Sequence, residues 1–159
     1  MPKPTIKPLP IDAPSRRRMP ILLRHAWYGL NQAFRRRIAP IGVTPDQFTV
    51  LRTLLEHEKT GLTQSELTRE IASDPNTIAS LVLRMERAGW IHRARHERDR
   101  RAYHLKITTV GRAKYKQARK IAVTLQEELL ADWPETKREE FLANLAQIAD
   151  RCRATAKAR

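Results

Sequence analysis

The sequence predicts a mainly α-helical fold with one small β-hairpin, and three observations predict it. Apolar residues recur at helical spacing through much of the chain. Helix-start signatures, a Thr followed three residues later by Gln or Glu, recur at Thr44 and Thr63. Between Trp90 and Thr108 the pattern changes to alternation, interrupted by a run of arginines.

Composition bounds the function. At 159 residues the chain is one domain, or one protomer of an oligomer. An apolar fraction of 41% can supply a core, while 31 Lys and Arg against 17 Asp and Glu leave a formal net charge of +14. A single-sign excess of that size favours a polyanionic partner, nucleic acid ahead of an anionic membrane. The single cysteine, Cys152, allows no intramolecular disulfide and suits a reducing cytoplasm. The apolar "ILL" after Pro20 is too short for a signal peptide, and no run approaches transmembrane length, so the expected location is cytoplasmic, with no membrane partner. The five glycines are all isolated, so no phosphate-cradling loop is present. No Ser/His/Asp or paired-carboxylate spacing stands out. Neither enzymatic activity nor a cofactor is expected.

Six of the ten prolines lie before residue 21, with Arg16, Arg17 and Arg18 near the end of that stretch. Proline lacks an amide donor and fixes φ, so this reads as an extended arm. The first helix is expected over Met19 to Ile38, with Leu23, Trp27, Leu30, Phe34 and Ile38 in one stripe. Pro40 and Gly42 end it. The second helix is capped by Thr44 with Gln47, Pro45 takes its first position, and Val43 with Phe48 forms a staple. The third repeats the signal, with Thr63 and Glu66 as capping box and Leu62 and Leu67 as staple. "ASD" breaks it, and Asp74 caps a fourth helix from Pro75 to about Ala88, where Gly89 fits a C-terminal cap. The hairpin follows, with strands Trp90 to Arg95 and Tyr103 to Thr108 around a charged tip. Ile91, Tyr103, Leu105 and Ile107 are expected to share its inner face. A fifth helix, about Thr109 to Asp132, carries Ile121, Leu125 and Leu129 on one side. The last opens at Pro134 and Glu135, with Phe141, Leu145, Ile148 and Cys152 in its apolar stripe, which makes Cys152 a small core residue.

A short capped helix, a tight turn and a second helix form a helix-turn-helix. The second of these has Ile78, Leu81, Val82, Met85 and Ala88 inside, and Thr77, Ser80, Arg84 and Arg87 outside, with Asn76 beside Thr77. Small hydroxyl and amide groups near a helix N-terminus suit base edges in the major groove, and the later arginines suit phosphate or bracing. Thr63, Gln64 and Ser65, at the start of the preceding helix, complete the expected DNA-facing set. The basic hairpin is then the wing of a winged helix-turn-helix. Its tip is expected to reach the adjacent minor groove, while Arg93, Arg95, Arg98 and Arg100 read as phosphate contacts or plain positive field.

The run "LTQSELTREIASDPNTIASLVLRMERAGWIHRARHERDRRAYHLKITTVGR" resembles the MarR family of bacterial transcriptional regulators. The family's wing motif, Asp-x-Arg followed by Leu-x-x-Thr, reads here as Asp99, Arg101, Leu105 and Thr108, then Gly111 and Arg112. The resemblance implies a homodimer on a pseudo-palindromic operator, with Arg101 in the minor groove and Asp99 orienting it. It implies a domain plan of arm (1–18), N-terminal dimerisation helix (19–42), DNA-binding region (43–109) and C-terminal dimerisation helices (110–159). The family commonly reads Thr-x-Thr-Arg on the recognition helix, whereas this chain reads "TIAS", with Ala79 and Ser80 in the last two places, implying a different operator preference. Many relatives bind small aromatic anions, and by resemblance Arg24, His25, Trp27, Tyr28, Phe48 and Leu51 are the candidate ligand-binding residues here. His92, His96 and His104 lie among arginines that oppose a cation, so no metal is expected.

The expectation is a sequence-specific double-stranded DNA-binding regulator, a homodimeric repressor released by a small aromatic or anionic ligand. The alternative is a sequence-tolerant architectural DNA- or RNA-binding protein without an inducer. A third class, a catalytic or protein-interaction domain using its basic face on an acidic protein, predicts no DNA binding at physiological salt.

Overall fold

The computed structural model describes residues 13, 18–95 and 103–157. In order these form α1 (Met19–Ile38), a 3-10 turn (Ala39–Ile41), α2 (Pro45–Glu56), β1 (Leu62–Thr63), α3 (Gln64–Glu70), α4 (Pro75–Arg87), β2 (Ile91–Arg95), β3 (Tyr103–Ile107), α5 (Thr109–Leu129) and α6 (Glu135–Lys157). The chain divides into two compact units, one ending at Arg119 and one beginning at Lys120, with α5 running through the boundary. Among the described residues no helix is long and apolar enough to cross a membrane.

In the first unit, Ile38, Val50, Leu51, Leu67, Ile78, Val82, Met85 and Ile91 are almost wholly buried. They come from α1, α2, α3, α4 and the sheet, so one core ties the helix-turn-helix to the hairpin. Phe48 joins α2 to two other helices: its ring meets Phe34 edge-on at 5.1 Å and stacks on Tyr115 at 5.5 Å. Lys114 of α5 donates to the Ile41 carbonyl at 2.7 Å and sits 5.7 Å over the Trp90 ring. Arg112 pairs bidentately with Glu58, which holds that carboxyl below the usual range.

The helix starts form as their side chains dictate. Thr44 accepts from the Gln47 amide at 3.2 Å while Gln47 accepts from the Thr44 amide at 2.9 Å. Thr63 and Glu66 repeat the exchange at 3.3 and 2.8 Å. Each box satisfies amides that a helix N-terminus leaves unpaired. α4 ends in a Schellman motif, with Gly89 left-handed at φ 72° and the Trp90 amide donating to the Met85 carbonyl at 2.9 Å. The same motif closes α3, where the Ser73 amide reaches the Thr68 carbonyl at 3.2 Å, but here Ala72 takes the left-handed position at φ 50°. An alanine there carries a steric cost that glycine lacks.

The sheet has three strands rather than two. β1 pairs antiparallel with β3 (Leu62 opposite Leu105, Thr63 opposite His104), and β2 pairs with the other edge of β3 (Ile91 opposite Ile107, Arg95 opposite Tyr103). Leu62, expected only as a helix staple, is therefore also a strand residue. The inner face holds Ile91, Leu105 and Ile107, all buried, but Tyr103 at the far end of β3 is 44% exposed. Its place in the alternation is kept, but among the described residues no helix covers it.

In the second unit Leu125 is buried and Ile121 and Ile148 are half-buried, while Leu129, Phe141 and Leu145 are exposed. Trp133 meets Phe141 edge-on at 5.3 Å. Cys152 is exposed with a free thiol, so the expectation of a core cysteine is corrected. α6 does carry its apolar stripe, but Phe141, Leu145 and Cys152 of that stripe are exposed among the described residues.

Candidate nucleic-acid interface

α4 is positioned from both ends and from beneath. Asp74 caps it, its carboxylate accepting from the Thr77 amide at 2.8 Å. Hydrogen bonds from the Thr77 hydroxyl, and then from its amide, hold the Asp74 carboxyl below the usual carboxylate range. Ile78, Leu81, Val82 and Met85 anchor the inner face. At 3.6 residues per turn, the row opposite that face is Asn76, Ser80, Leu83 and Arg87, and all four are exposed. Thr77 and Arg84 lie on its flank and are also exposed. The sequence reading placed Thr77, Ser80, Arg84 and Arg87 outward and passed over Leu83, because a leucine in an amphipathic helix reads as core by default.

The hydroxyls of this surface have defined roles. Ser80 donates to the Thr77 carbonyl at 3.0 Å, and Thr77 bonds Asp74 through its side chain. Both therefore turn acceptor lone pairs outward. Asn76 carries both an acceptor oxygen and a donor amide.

The start of α3 is more constrained. The Thr63 hydroxyl donates to Glu66 at 2.9 Å besides accepting the helix amide, so the cap occupies it. Bonds from the Thr63 amide and then its hydroxyl hold the Glu66 carboxyl low. Gln64, half-buried, accepts from Arg93 at 3.3 Å, and Arg93 also pairs with Glu86 at 3.2 Å. The sequence reads Arg93 as a phosphate contact or as plain positive field. Instead it ties β2 to the end of α4 and the start of α3, a pairing between sequence-distant residues that no local pattern signals. Ser65 and Arg95 are exposed. Arg98, Asp99, Arg100 and Arg101 lie outside the described residues, as does the arm apart from residues 13 and 18.

The base of the wing is held by Thr108. Its hydroxyl proton is shared between the carbonyls of Gly89 (2.6 Å) and Trp90 (3.1 Å), and its oxygen accepts from the Gly111 amide at 3.1 Å. One side chain thus joins the end of α4, the entry to β2 and the first turn of α5.

The ligand candidates separate. Leu51 is wholly buried and Phe48 lies between Phe34 and Tyr115. Arg24, His25, Trp27 and Tyr28 are exposed, six to ten residues before Phe34, which is roughly 9–15 Å along α1. The Tyr28 hydroxyl accepts from Gln32 at 2.9 Å. Among the described residues no group of three or more His, Cys, Asp or Glu side chains is arranged to hold a metal ion.

A capped outward helix bearing polar and cationic side chains, following a tight turn and leading into a paired basic hairpin, defines a winged helix-turn-helix DNA-binding protein. Residues 43–103 match the family model described as the MarR family. Over this segment the chain is similar to that family, and its fold is the winged helix-turn-helix of the family's solved structures. It is 29% identical over 118 residues to the HTH-type transcriptional repressor MdtR of Bacillus subtilis (strain 168), covering 69% of this chain and 71% of that protein. The fold matches the crystal structure of an S. aureus MepR–DNA complex with a TM-score of 0.75 at 22% identity, over 85% of this chain and 98% of the other. It matches CouR from Rhodococcus jostii RHA1 bound to p-coumaroyl-CoA with a TM-score of 0.72 at 23% identity, over 82% and 90%.

Proposed function

We propose that this protein is a DNA-binding transcriptional regulator of the MarR type, a homodimeric repressor that places α4 of each protomer in successive major grooves of a pseudo-palindromic operator. The observation that carries this is the outward row of α4, whose amide and hydroxyl come first and whose arginines come later. That is the order expected of a helix entering the groove by its N-terminal end. The DNA-facing set is Gln64, Ser65, Asn76, Thr77, Ser80, Arg84 and Arg95, with Arg98, Asp99, Arg100 and Arg101 at the wing tip. Thr63 serves as cap to the first of these.

The dimer reading is supported by exposed apolar side chains near both chain ends: Ile21, Leu22 and Leu30 on α1, and Leu129, Phe141 and Leu145 beyond residue 120. Residues 19–42 and 110–159 are accordingly read as the dimerisation helices flanking a DNA-binding region at 43–109, with an arm at 1–18. Water-exposed leucines in such number favour burial against a second copy. For the effector we assign the exposed group Arg24, His25, Trp27 and Tyr28. It offers aromatic faces beside a guanidinium suited to a carboxylate. CouR, with its bound aromatic acyl-CoA, supports an aromatic anion as the ligand class. MdtR, named a repressor, supports the direction of control.

Selection of bound sequences from a random duplex pool tests this reading. The expected product is a two-fold sequence with half-sites about one DNA turn, roughly 34 Å, apart. Log affinity should fall with log salt at about 0.9 per phosphate neutralised. Retention of unrelated duplexes or RNA with equal affinity would overturn it in favour of an architectural protein. Sedimentation at micromolar concentration should give twice the chain mass.

A further inference from the structure

We propose that Leu83 is a specificity-determining residue that reads the 5-methyl group of a thymine in the major groove. Leu83 is 43% exposed and is the one large apolar side chain that α4 turns to solvent. It does not sit at the edge of the buried face. It stands in the row opposite Ile78, Leu81, Val82 and Met85, between Ser80 and Arg87.

The chemistry around it narrows the partner. Ser80, one turn before, donates to the Thr77 carbonyl and so presents an acceptor. Arg87, one turn after, presents donors and a charge that suits phosphate. An apolar group flanked by polar readers, on a helix bracketed by Arg84, Arg87 and Arg95, is unsuited to a protein or lipid partner of any size. In the major groove the thymine methyl is the apolar feature that such a side chain meets. Ser80 and Leu83 are about 4.5 Å apart along the helix axis, comparable with the rise of about 3.4 Å between base pairs. The two side chains therefore address neighbouring pairs, an amino-bearing base beside a thymine.

The inference rests on α4 docking in the major groove, and the test separates the two. In the selected operator each thymine is replaced in turn by uracil, which removes the methyl and keeps every hydrogen-bonding group. Wild-type protein should lose about fourfold in affinity per half-site at one symmetric position, the value of burying a single methyl. Leu83→Ala should bind the thymine and uracil duplexes equally. Its helix content and thermal midpoint should match the wild type, since alanine is the strongest helix former and the position is exposed. A selected operator whose uracil substitutions are all silent overturns the Leu83 contact while leaving the docking intact. So does an equal loss in wild type and Leu83→Ala. A pool that yields no preferred sequence overturns the docking itself, and the contact with it.

Discussion

Thr108→Val removes a hydroxyl while keeping the shape of the side chain, so its cost measures hydrogen bonds alone. The hydroxyl caps α5 through the Gly111 amide at 3.1 Å and reaches the Gly89 carbonyl at 2.6 Å. Loss of an N-cap costs about 1 kcal/mol. Gly89 is exposed, so water replaces its lost donor and that bond adds only about 0.5 kcal/mol, the low end of the range. The Trp90 carbonyl keeps the Thr108 amide at 2.9 Å and adds little. The sum is about 1.5 kcal/mol, which for a chain of this length lowers the thermal midpoint by about 3–6 °C. Circular dichroism melts at one fixed protein concentration measure this, since association would shift both midpoints. Thr108→Ser should stay within about 0.5 kcal/mol of the wild type. A Thr108→Val protein as stable as the wild type, or a serine variant as unstable as the valine, would refute the assignment of the hydroxyl as the tie between α4, the sheet and α5.

Three further outcomes follow from the geometry. In Gly111→Ala the added methyl meets the Trp90 carbonyl oxygen and, at 2.9 Å, Ile107. Backbone cannot yield as a flexible side chain does, so urea unfolding should show a loss of about 1–3 kcal/mol. The Asp74 carboxyl titrates below its unfolded value, so its capping contribution is present above the usual carboxylate range and is lost as pH falls through the folded-state value. Amide exchange at the start of α4 should therefore speed up in acid, and Asp74→Asn, which caps without charge, should remove that pH dependence. Arg93 is engaged with Glu86 and Gln64, so Arg93→Met should leave the salt slope of DNA binding unchanged, whereas Arg84→Ala should lower it by about one phosphate. A fall in slope for Arg93→Met would return that residue to the phosphate contacts.

The features legible in the sequence are those whose partners lie within one helical turn. The Thr44–Gln47 and Thr63–Glu66 boxes and the Asp74 cap each span three residues, and all three stand where the spelling places them. α1 occupies its expected span. What escaped the sequence depends on partners far along the chain. The pairing of Leu62 with Leu105 makes a strand of two residues that, alone, have no strand signature. The engagement of Arg93 with Gln64 is likewise invisible to a local reading, which counts the arginine only as charge. Periodicity located the apolar stripes of α1 and α6 but could not say what covers them. Trp27 is 65% exposed and Cys152 is free, although both lie where a helical repeat puts core. Leu83 is legible by spacing, since it falls in the row with Asn76, Ser80 and Arg87, although a leucine in an amphipathic helix reads by type as core.

The strand order β1-β3-β2 makes β3 the central strand, bonded on one edge to the other arm of the hairpin and on the other to Leu62 and Thr63. Thr63 is also the residue whose side chain starts α3. A slip of β3 by a single place would turn Leu105 and Ile107 to solvent and carry the alignment of the α3 cap with it. The hairpin and the first helix of the helix-turn-helix are thus geared through one strand, so a change at the root of the hairpin is passed on to the start of α3.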